Sequence, residues 1–173
     1  AYAKIGTEGV GGCDYQLLFE PGRLIVGNAG ILVTSVIYVK EATTKSFVIV
    51  DAAMNDLMRP TLYDAKHEII PAIQPADGAK AMTADVVGPV CETGDMFAEA
   101  ISLPDVKSND LLAVRSAGAY GAVLASSYNT RALIPEVLVR GDEFSVVRRR
   151  IDVEELLGYD AFPTWLSDKG PGG

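Results

Sequence analysis

The chain has 173 residues, 49% of them hydrophobic and 22% charged, which is the balance of a folded globular protein and excludes a largely disordered one. Its formal net charge of -8 argues against non-specific binding to nucleic acid or to an anionic membrane surface. Two cysteines far apart in the chain, Cys13 and Cys91, form neither a disulfide framework nor a metal motif, so we expect a cytoplasmic protein without a metal site.

The N-terminal region is expected to be irregular up to a short buried strand. Residues 1–12 are rich in glycine and have no apolar period, which predicts a loop. Residues 15–19 predict a strand buried on both faces, although a buried helical turn has the same signature. A sharp turn over residues 20–23 ends in Arg23, whose guanidinium group suits an anionic ligand. A plain turn with an exposed arginine is the simpler interpretation of these residues alone.

Six further segments are rich in β-branched and apolar residues and are predicted to be strands: residues 31–39, 47–50, 85–90, 111–114, 135–140 and 143–149. The polar residues 40–46 join the first two as a hairpin, and Gly141 with Asp142 forms a tight turn between the last two. The most apolar stretch, residues 30–39, falls well short of the roughly 20 residues that span a bilayer. Most of the chain is therefore predicted to be β.

Helical signals are few. Asp152 is predicted to cap a short helix that runs through residue 157, with Glu155 as its capping-box partner and Gly158 as the stop. A second short helix or turn is expected between residues 116 and 128, where two glycines weaken it.

Arg59 and Tyr63 are four residues apart, so a helix would place both side chains on one face. There a guanidinium group and a phenol could clamp a carboxylate by charge and by a hydrogen bond. Pro60 fits the first turn of a helix but excludes a long one. A surface arginine beside a tyrosine packed on the core explains the pattern at least as well.

Cys91 and Glu92 directly follow the predicted strand at residues 85–90. The thiol could deliver a proton, and the carboxylate could bind an ammonium group. A lone cysteine beside a strand is more often a buried small hydrophobe.

Tyr120 lies in a glycine-rich turn, where backbone amides and a phenol could close on a phosphate or a planar ring. Taken by itself, the segment is a glycine-rich turn with a core tyrosine. His67, the only histidine, has no neighbours with the spacing of a metal site or of a nucleophile–base pair, and we assign it no catalytic role.

Taken in order, these segments resemble the diaminopimelate decarboxylase family, which catalyses the last step of bacterial lysine synthesis. The likeness runs from about residue 15 to about residue 157 and rests on five motifs: LLFEPGR (17–23), VGNAGIL (26–32), FVIVDAAMNDLMRPTLY (47–63), DVVGPVCETGD (85–95) and SAGAYG (116–121). Each motif is weak alone, but their joint presence in this order is specific.

The resemblance implies a mainly β fold, a β-sandwich or small barrel of the alanine-racemase C-terminal type, preceded by the last strand of a (β/α)8 barrel. Residues 1–27 would be a remnant of the pyridoxal-phosphate-binding barrel, and residues 28–173 the C-terminal β domain. The expected partners are a small-molecule substrate, the barrel portion of the same enzyme and a second copy in a homodimer.

The resemblance also implies which residues contact the cofactor, pyridoxal 5'-phosphate. Glu20, Pro21, Gly22 and Arg23 would lie near its phosphate, and Tyr120 would touch both cofactor and substrate.

A second implied set of residues binds the substrate. Arg23, Arg59 and Tyr63 would hold its distal carboxylate, and Glu92 its distal ammonium group. Cys91 would donate a proton after carbon dioxide leaves, at the cofactor of the neighbouring subunit.

The implied reaction is the decarboxylation of meso-2,6-diaminopimelate to L-lysine. The family's Schiff-base lysine lies upstream in the barrel, so these 173 residues alone are not expected to catalyse it. A strand that the β domain takes from the N-terminus is also expected to be absent, which would leave an edge prone to association. Two alternatives stay open: a sister decarboxylase of the ornithine or arginine type, and a non-catalytic β domain for binding or assembly.

Overall fold

The computed structural model describes residues 2–9, 16 and 18–167. Its centre is a sheet with the strand order β3-β6-β1-β2-β4-β5. The six strands are β1 (Leu32–Glu41), β2 (Ser46–Val50), β3 (Ile69–Pro71), β4 (Ala81–Val87), β5 (Met96–Pro104) and β6 (Leu111–Val114). The two outer strands, β3 and β5, contact one another, so the sheet nearly closes on itself. The predicted mainly β fold with a small barrel is confirmed.

The remaining elements are short. The strands β7 (Glu136–Arg140) and β8 (Glu143–Arg148) form a separate hairpin. The helices are α1 (Tyr2–Gly9), α2 (Arg59–Tyr63), α3 (Val153–Leu157) and α4 (Thr164–Ser167), and four 3₁₀ turns cover Gly22–Leu24, Gly27–Ala29, Ala122–Leu124 and Tyr128–Thr130. None of the helices in the described ranges has the length and apolar character needed to cross a membrane.

Alternating side chains explain how the sheet forms its core. Along β1, Leu32 and Val36 are buried while Val33 between them is exposed, as expected for a strand with one face on the core. The other fully buried apolar side chains come from the neighbouring strands and include Val48, Val50, Val86, Leu103 and Leu112. The predicted hairpin between β1 and β2 is present, with Glu41 opposite Ser46.

The loop predicted over residues 1–12 is wrong for residues 2–9, which form α1; residues 1 and 10–12 lie outside the described residues. The helix has no apolar period but contains a local ion pair, since Lys4 Nζ lies 3.7 Å from Glu8 Oε1 one turn away. A Cβ on Gly6 would lie 2.6 Å from the ring of Phe19. This glycine therefore permits the Phe19 ring to pack closely against α1.

The strand predicted over residues 15–19 is not formed where the chain is described. Residues 15 and 17 lie outside the described residues, and residues 16 and 18–20 are irregular. Leu18 is 85% exposed, and neither sheet of the described chain includes this segment. A strand requires hydrogen-bond partners for its backbone groups. An apolar run in the sequence does not show whether such a partner strand exists.

Several predicted elements are present with different bounds. The strand predicted at residues 85–90 is β4, which ends at Val87 because residues 88–95 turn around the buried carboxylate of Asp95. The short helix or turn expected between residues 116 and 128 is a turn, with one 3₁₀ turn at Ala122–Leu124 and the next beginning at Tyr128.

Asp152 caps α3 as predicted, because its Oδ1 accepts a hydrogen bond of 2.9 Å from the Glu155 amide, and Gly158 ends the helix. The carboxylate of Glu155 binds Arg149 and does not complete the predicted capping box. The bidentate guanidinium fork is the stronger donor.

Candidate functional site

Five segments meet at one edge of the six-stranded sheet, here called the site edge. The strands β2 and β4 are parallel, with Ile49 opposite Val87, so both end there. The first residues of β1 and β3, Leu32 and Ile69, both pair with Val114 at the end of β6. The segments that leave the sheet at this edge are residues 22–31, 51–63, 64–68, 88–95 and 115–130. All the candidate loops of the sequence therefore converge here.

Arg23 is held against the turn that follows β6. Its Nη2 donates a hydrogen bond of 2.6 Å to the carbonyl oxygen of Ser116. The two chain segments approach closely, because a Cβ on Gly30 would lie 2.5 Å from Gly118 Cα. Glycine is required at this crossing, and the contact brings Arg23 beside the turn that carries Tyr120.

The residues expected to contact a cofactor include exposed groups. Tyr120 has a φ of 56° and is 47% exposed, so its phenol is not the core tyrosine of the alternative interpretation. Gly22 also has a φ of 56°, and a Cβ there would meet nothing within 4 Å. Pro21 accepts a hydrogen bond of 3.1 Å from the Leu24 amide, which closes the predicted turn. Glu20 is exposed.

Arg59 and Tyr63 share one face of α2, as their spacing predicts. Arg59 Cζ lies 5.7 Å from the centroid of the Tyr63 ring, within range of a cation–π contact. Pro60 occupies the first turn of the helix. Tyr63 is 60% exposed, so the interpretation as a core tyrosine does not hold.

The loop of residues 88–95 is built around a buried carboxylate. Asp95, only 4% exposed, accepts hydrogen bonds from the amides of Met54 at 2.6 Å and Val90 at 2.7 Å. A Cβ on Gly88 would collide with this carboxylate. The resulting turn presents Cys91 as a free, exposed thiol, in contrast to the buried cysteine of the alternative interpretation.

Glu92 is oriented by neighbours that the sequence analysis did not identify. Its Oε1 accepts a hydrogen bond of 3.1 Å from the Gly94 amide, and the Tyr128 hydroxyl lies 3.5 Å from its Oε2. The buried amide of Asn55 donates to the carbonyl oxygens of Ser126 at 3.1 Å and Tyr128 at 2.7 Å. Asn55 therefore fixes the segment that carries Tyr128.

A hydrogen bond joins α2 to the loop of Cys91 and Glu92. Thr61 Oγ1 donates to the Gly94 carbonyl oxygen at 2.5 Å. The helix that carries Arg59 is thus docked on the loop that carries the thiol and the carboxylate. One continuous edge presents a guanidinium group, a phenol, a thiol and a carboxylate.

His67 also lies at the site edge, although the sequence analysis gave it no role. It is only 7% exposed, and its Nδ1 lies 2.9 Å from the Arg115 carbonyl oxygen. Burial lowers the pKa of the imidazole below the ordinary 6.5, and the charges of Arg23 and Arg59 lower it further.

Acidification is expected to destabilise the chain partly through His67. Because the pKa of the folded imidazole is lowered below 6.5, the unfolded chain binds a proton that the folded chain does not. Stability is therefore lost as the pH falls through 6.5. Urea unfolding from about pH 7 to about pH 5.5 should show a smaller loss in His67→Gln than in the parent chain. Equal losses would contradict this assignment.

A hollow of about 690 Å³ lies along the seam between β3 and β5, lined by residues such as His67, Gln74 and Leu103. Its lining does not include Cys91 or Arg59. The hollow follows the line where the sheet stays open. Because it lacks the candidate residues Cys91 and Arg59, we place the candidate functional site at the site edge. Within the described ranges, no cluster of three or more His, Cys, Asp or Glu residues could hold a metal ion.

Comparison with known proteins places these motifs in a family. Residues 14–118 match the model of the C-terminal sheet domain of pyridoxal-dependent decarboxylases. The chain is 51% identical over 166 residues to a diaminopimelate decarboxylase of Zymomonas mobilis, covering 96% of this chain and 39% of that protein. Identity with a diaminopimelate decarboxylase of Pseudomonas fluorescens is 54% over 155 residues, covering 90% and 36%.

The fold of the chain is also similar to that of solved diaminopimelate decarboxylases. A crystal structure of diaminopimelate decarboxylase from Helicobacter pylori complexed with L-lysine matches with a TM-score of 0.80 and 40% identity, covering 91% of this chain and 38% of that chain. The chain spans less than two fifths of the length of these relatives.

Proposed function

Because the chain belongs to the family of C-terminal sheet domains of pyridoxal-dependent decarboxylases, we propose that it is the C-terminal part of a diaminopimelate decarboxylase. The reaction is the conversion of meso-2,6-diaminopimelate to L-lysine and carbon dioxide. Relatives of that name share about half of its residues, and a structural relative of that name is complexed with L-lysine.

The observation that carries the proposal is the pair of guanidinium groups at the site edge. Arg23 is held at the site edge by its hydrogen bond to the Ser116 carbonyl oxygen, and Tyr63 lies against Arg59. Diaminopimelate has a carboxylate at its distal end, and two guanidinium forks with a phenol match that group. Ornithine and arginine lack a distal carboxylate, so the pair would have no partner in those substrates.

We assign Glu92 the binding of the ammonium group at the same distal end of the substrate. Its carboxylate is exposed and lies beside the Tyr128 hydroxyl, so an ammonium group could be bound by charge and by a hydrogen bond. We assign Cys91 the delivery of one proton to the carbon that loses its carboxylate. An exposed thiol can regain that proton from water.

A cofactor with a phosphate and a planar ring fits the residues present. Arg23 supplies positive charge, Gly22 leaves its surface open, and Tyr120 exposes its ring. We assign these three residues, with Glu20 and Pro21, to contacts with pyridoxal 5'-phosphate. When bound, this group supplies an electron sink for the charge left on the substrate by decarboxylation. Its Schiff-base lysine is assigned outside this chain.

We assign the exposed hairpin to contact with the barrel portion of the enzyme. Its apolar side chains are open to solvent, with Val139 66% and Phe144 75% exposed. A two-stranded hairpin is marginally stable alone, and an apolar surface of this kind marks a contact site. We place the remnant of the barrel at residues 1–27 and the β domain at residues 28–173.

A homodimer and a cytoplasmic location complete the proposal. Cys91 and Glu92 are both exposed, so each could face the cofactor of a partner subunit, and a symmetric dimer would use both copies of this surface. The proton-donor role also requires Cys91 to stay reduced, which favours the cytoplasm.

Combining this chain with the barrel portion of a diaminopimelate decarboxylase and pyridoxal 5'-phosphate is expected to release L-lysine from meso-2,6-diaminopimelate. Neither part should do so alone, because each holds only some of the assigned residues. Amino-acid analysis of the mixture measures the product. Variants of the chain without Arg59 or Cys91 provide matched controls.

Ornithine tests the specificity of the same mixture. Its turnover should be more than about a hundredfold lower, because the half-buried Arg23 and Arg59 would be left without a carboxylate. Equal turnover of the two substrates would support a sister decarboxylase. A folded chain that binds neither the barrel portion nor pyridoxal 5'-phosphate would support a non-catalytic domain instead.

A further inference from the structure

The Tyr128 hydroxyl and the Glu92 carboxylate lie together at the site edge, although their segments are far apart in the sequence. The hydroxyl oxygen of Tyr128 lies 3.5 Å from Glu92 Oε2. Tyr128 is 47% exposed and Glu92 is also exposed, so a ligand can reach both side chains. The two residues therefore present neighbouring oxygen atoms to one ligand.

The main chain of Tyr128 is fixed by Asn55, whose side chain is buried. Asn55 Nδ2 donates to the carbonyl oxygens of Ser126 at 3.1 Å and Tyr128 at 2.7 Å. The Ser126 amide donates in return to the Asn55 carbonyl oxygen at 3.1 Å. Hydrogen bonds around a buried side chain are stronger than those in water. Asn55 therefore sets the position of Tyr128.

Arg131 anchors the other end of the same segment. Its Nη2 donates to the Asp51 carbonyl oxygen at 2.7 Å and lies 3.7 Å from Oδ2 of the buried Asp56. Between the two anchors, Asn129 and Thr130 have φ values of 56° and 54°. A β-branched threonine rarely adopts such a conformation, which persists only where the surrounding contacts hold it. The segment is therefore fixed at both ends.

The loop that carries Glu92 is bound to the same part of the chain, residues 51–56. The Met54 amide donates to Asp95 Oδ1 at 2.6 Å. The Asp95 amide in turn donates to the Glu92 carbonyl oxygen at 3.0 Å. Residues 51–56 thus bind both the loop of Glu92 and the segment of Tyr128, and they fix the separation of the two side chains.

Gly94 joins this pair of side chains to α2. Its amide donates to Glu92 Oε1 at 3.1 Å, and its carbonyl oxygen accepts from Thr61 Oγ1 at 2.5 Å. Thr61 lies in α2 between Arg59 and Tyr63. The distal ammonium and carboxylate groups of diaminopimelate are bonded to the same carbon atom, so their binding sites must be adjacent. The contacts of Gly94 provide that adjacency.

We propose that Tyr128 is a specificity-determining residue that binds the distal ammonium group of the substrate together with Glu92. The inference rests on the proposed function and adds a second acceptor to it. An ammonium group has three donors, and a hydroxyl both donates and accepts. The Tyr128 hydroxyl can therefore donate to the Glu92 carboxylate while it accepts from the ammonium group. A ligand without that ammonium group leaves this acceptor unused.

L-lysine and 6-aminohexanoate are a matched pair of ligands for testing this role. Decarboxylation of diaminopimelate leaves its distal end intact as the α-carbon of L-lysine, with the ammonium and carboxylate groups. The ligand 6-aminohexanoate is L-lysine without that α-ammonium group. Only L-lysine can therefore contact the Tyr128 hydroxyl in the proposed way.

In the complete decarboxylase with pyridoxal 5'-phosphate, Tyr128→Phe removes one hydroxyl from an exposed side chain. We expect its affinity for L-lysine, measured by calorimetry, to fall about tenfold, and its affinity for 6-aminohexanoate to stay within about twofold of the parent. A purely structural tyrosine would weaken both ligands equally. That result, or an unchanged affinity for L-lysine, would overturn the inference.

Tyr159→Phe is the matched control. Tyr159 is 76% exposed and lies outside the segments of the site edge, so both affinities should stay at the parent values. Failure of the parent enzyme to release L-lysine from diaminopimelate would contradict the proposed function. The two affinities are measured without turnover, so they decide the role of Tyr128 in either case. A parent enzyme that does not bind L-lysine would refute that role as well.

A label that keeps the hydroxyl covers the case in which Tyr128→Phe does not fold. With 3-fluorotyrosine at position 128, the fluorine NMR signal should shift on addition of L-lysine. The shift with 6-aminohexanoate should be clearly smaller, because that ligand has no ammonium group beside the ring. Equal shifts with the two ligands, or no shift with L-lysine, would rule out the contact.

Discussion

Replacing Cys91 with alanine in the complete decarboxylase is expected to lower kcat by roughly 10²- to 10⁴-fold, the usual contribution of a positioned proton donor. The free energy of unfolding should change by no more than about 0.5 kcal/mol. The thiol is exposed and free, so its removal leaves no cavity. The turn around it is held by Asp95 through the Val90 amide, and that bond remains.

Cys91→Ser provides the matched control for this prediction. A serine hydroxyl keeps the size and a proton, but it is a far weaker acid than a thiol, so kcat should stay well below that of the parent enzyme. Lysine release gives kcat, and urea unfolding gives stability. An unchanged kcat in Cys91→Ala would refute the proton-donor role, while a large loss of stability would indicate a structural role.

The fold could be predicted from the sequence where a local pattern of residues marks a strand or the start of a helix. The β-branched, apolar residues of β1 and β2, separated by the polar residues 40–46, predict the hairpin, and Asp152 predicts the start of α3. Two strands were missed for identifiable reasons. The three residues of β3 are too few for a period, and β5 is interrupted at Ala100, whose φ is 50°. The buried carboxylate of Asp85 holds that bend through the Ala100 amide.

The candidate site was predictable because its residues follow strands whose ends coincide. Arg59 and Tyr63 follow β2, Cys91 and Glu92 follow β4, and Tyr120 follows β6. Parallel pairing of β2 with β4 then brings loops that are distant in sequence to one edge. The order of the motifs, through the family resemblance, was sufficient to predict these residues as candidates, although it gave none of their distances.

The supporting residues could not be predicted in this way. His67 and Tyr128 lie outside the five motifs, and Asn55 lies within one without a chemical signature of its own. Their contacts join residues 36 to 73 positions apart. A lone histidine signals nothing until burial leaves one nitrogen without a partner. Long-range hydrogen bonds of this kind appear only after folding, since the sequence carries no local signal for them.

Replacing Arg59 with lysine in the complete decarboxylase should raise KM for diaminopimelate by roughly 10- to 100-fold, with a much smaller change in the affinity for pyridoxal 5'-phosphate. Lysine keeps the charge but loses the planar fork that pairs with a carboxylate through two hydrogen bonds. It also loses the guanidinium face that lies 5.7 Å from the Tyr63 ring. Initial rates and cofactor titration measure the two effects.

Arg149→Lys makes the same chemical change away from the site edge. Arg149 lies after β8, outside the hairpin, where it pairs with Glu155 at 2.6 Å, so KM should stay at the parent value. If Arg59→Lys also leaves KM unchanged, the clamp is wrong and the distal carboxylate binds elsewhere. If cofactor affinity falls as steeply as substrate affinity, Arg59 acts on the cofactor. A residue that contacts only the distal carboxylate of the substrate would change substrate affinity alone.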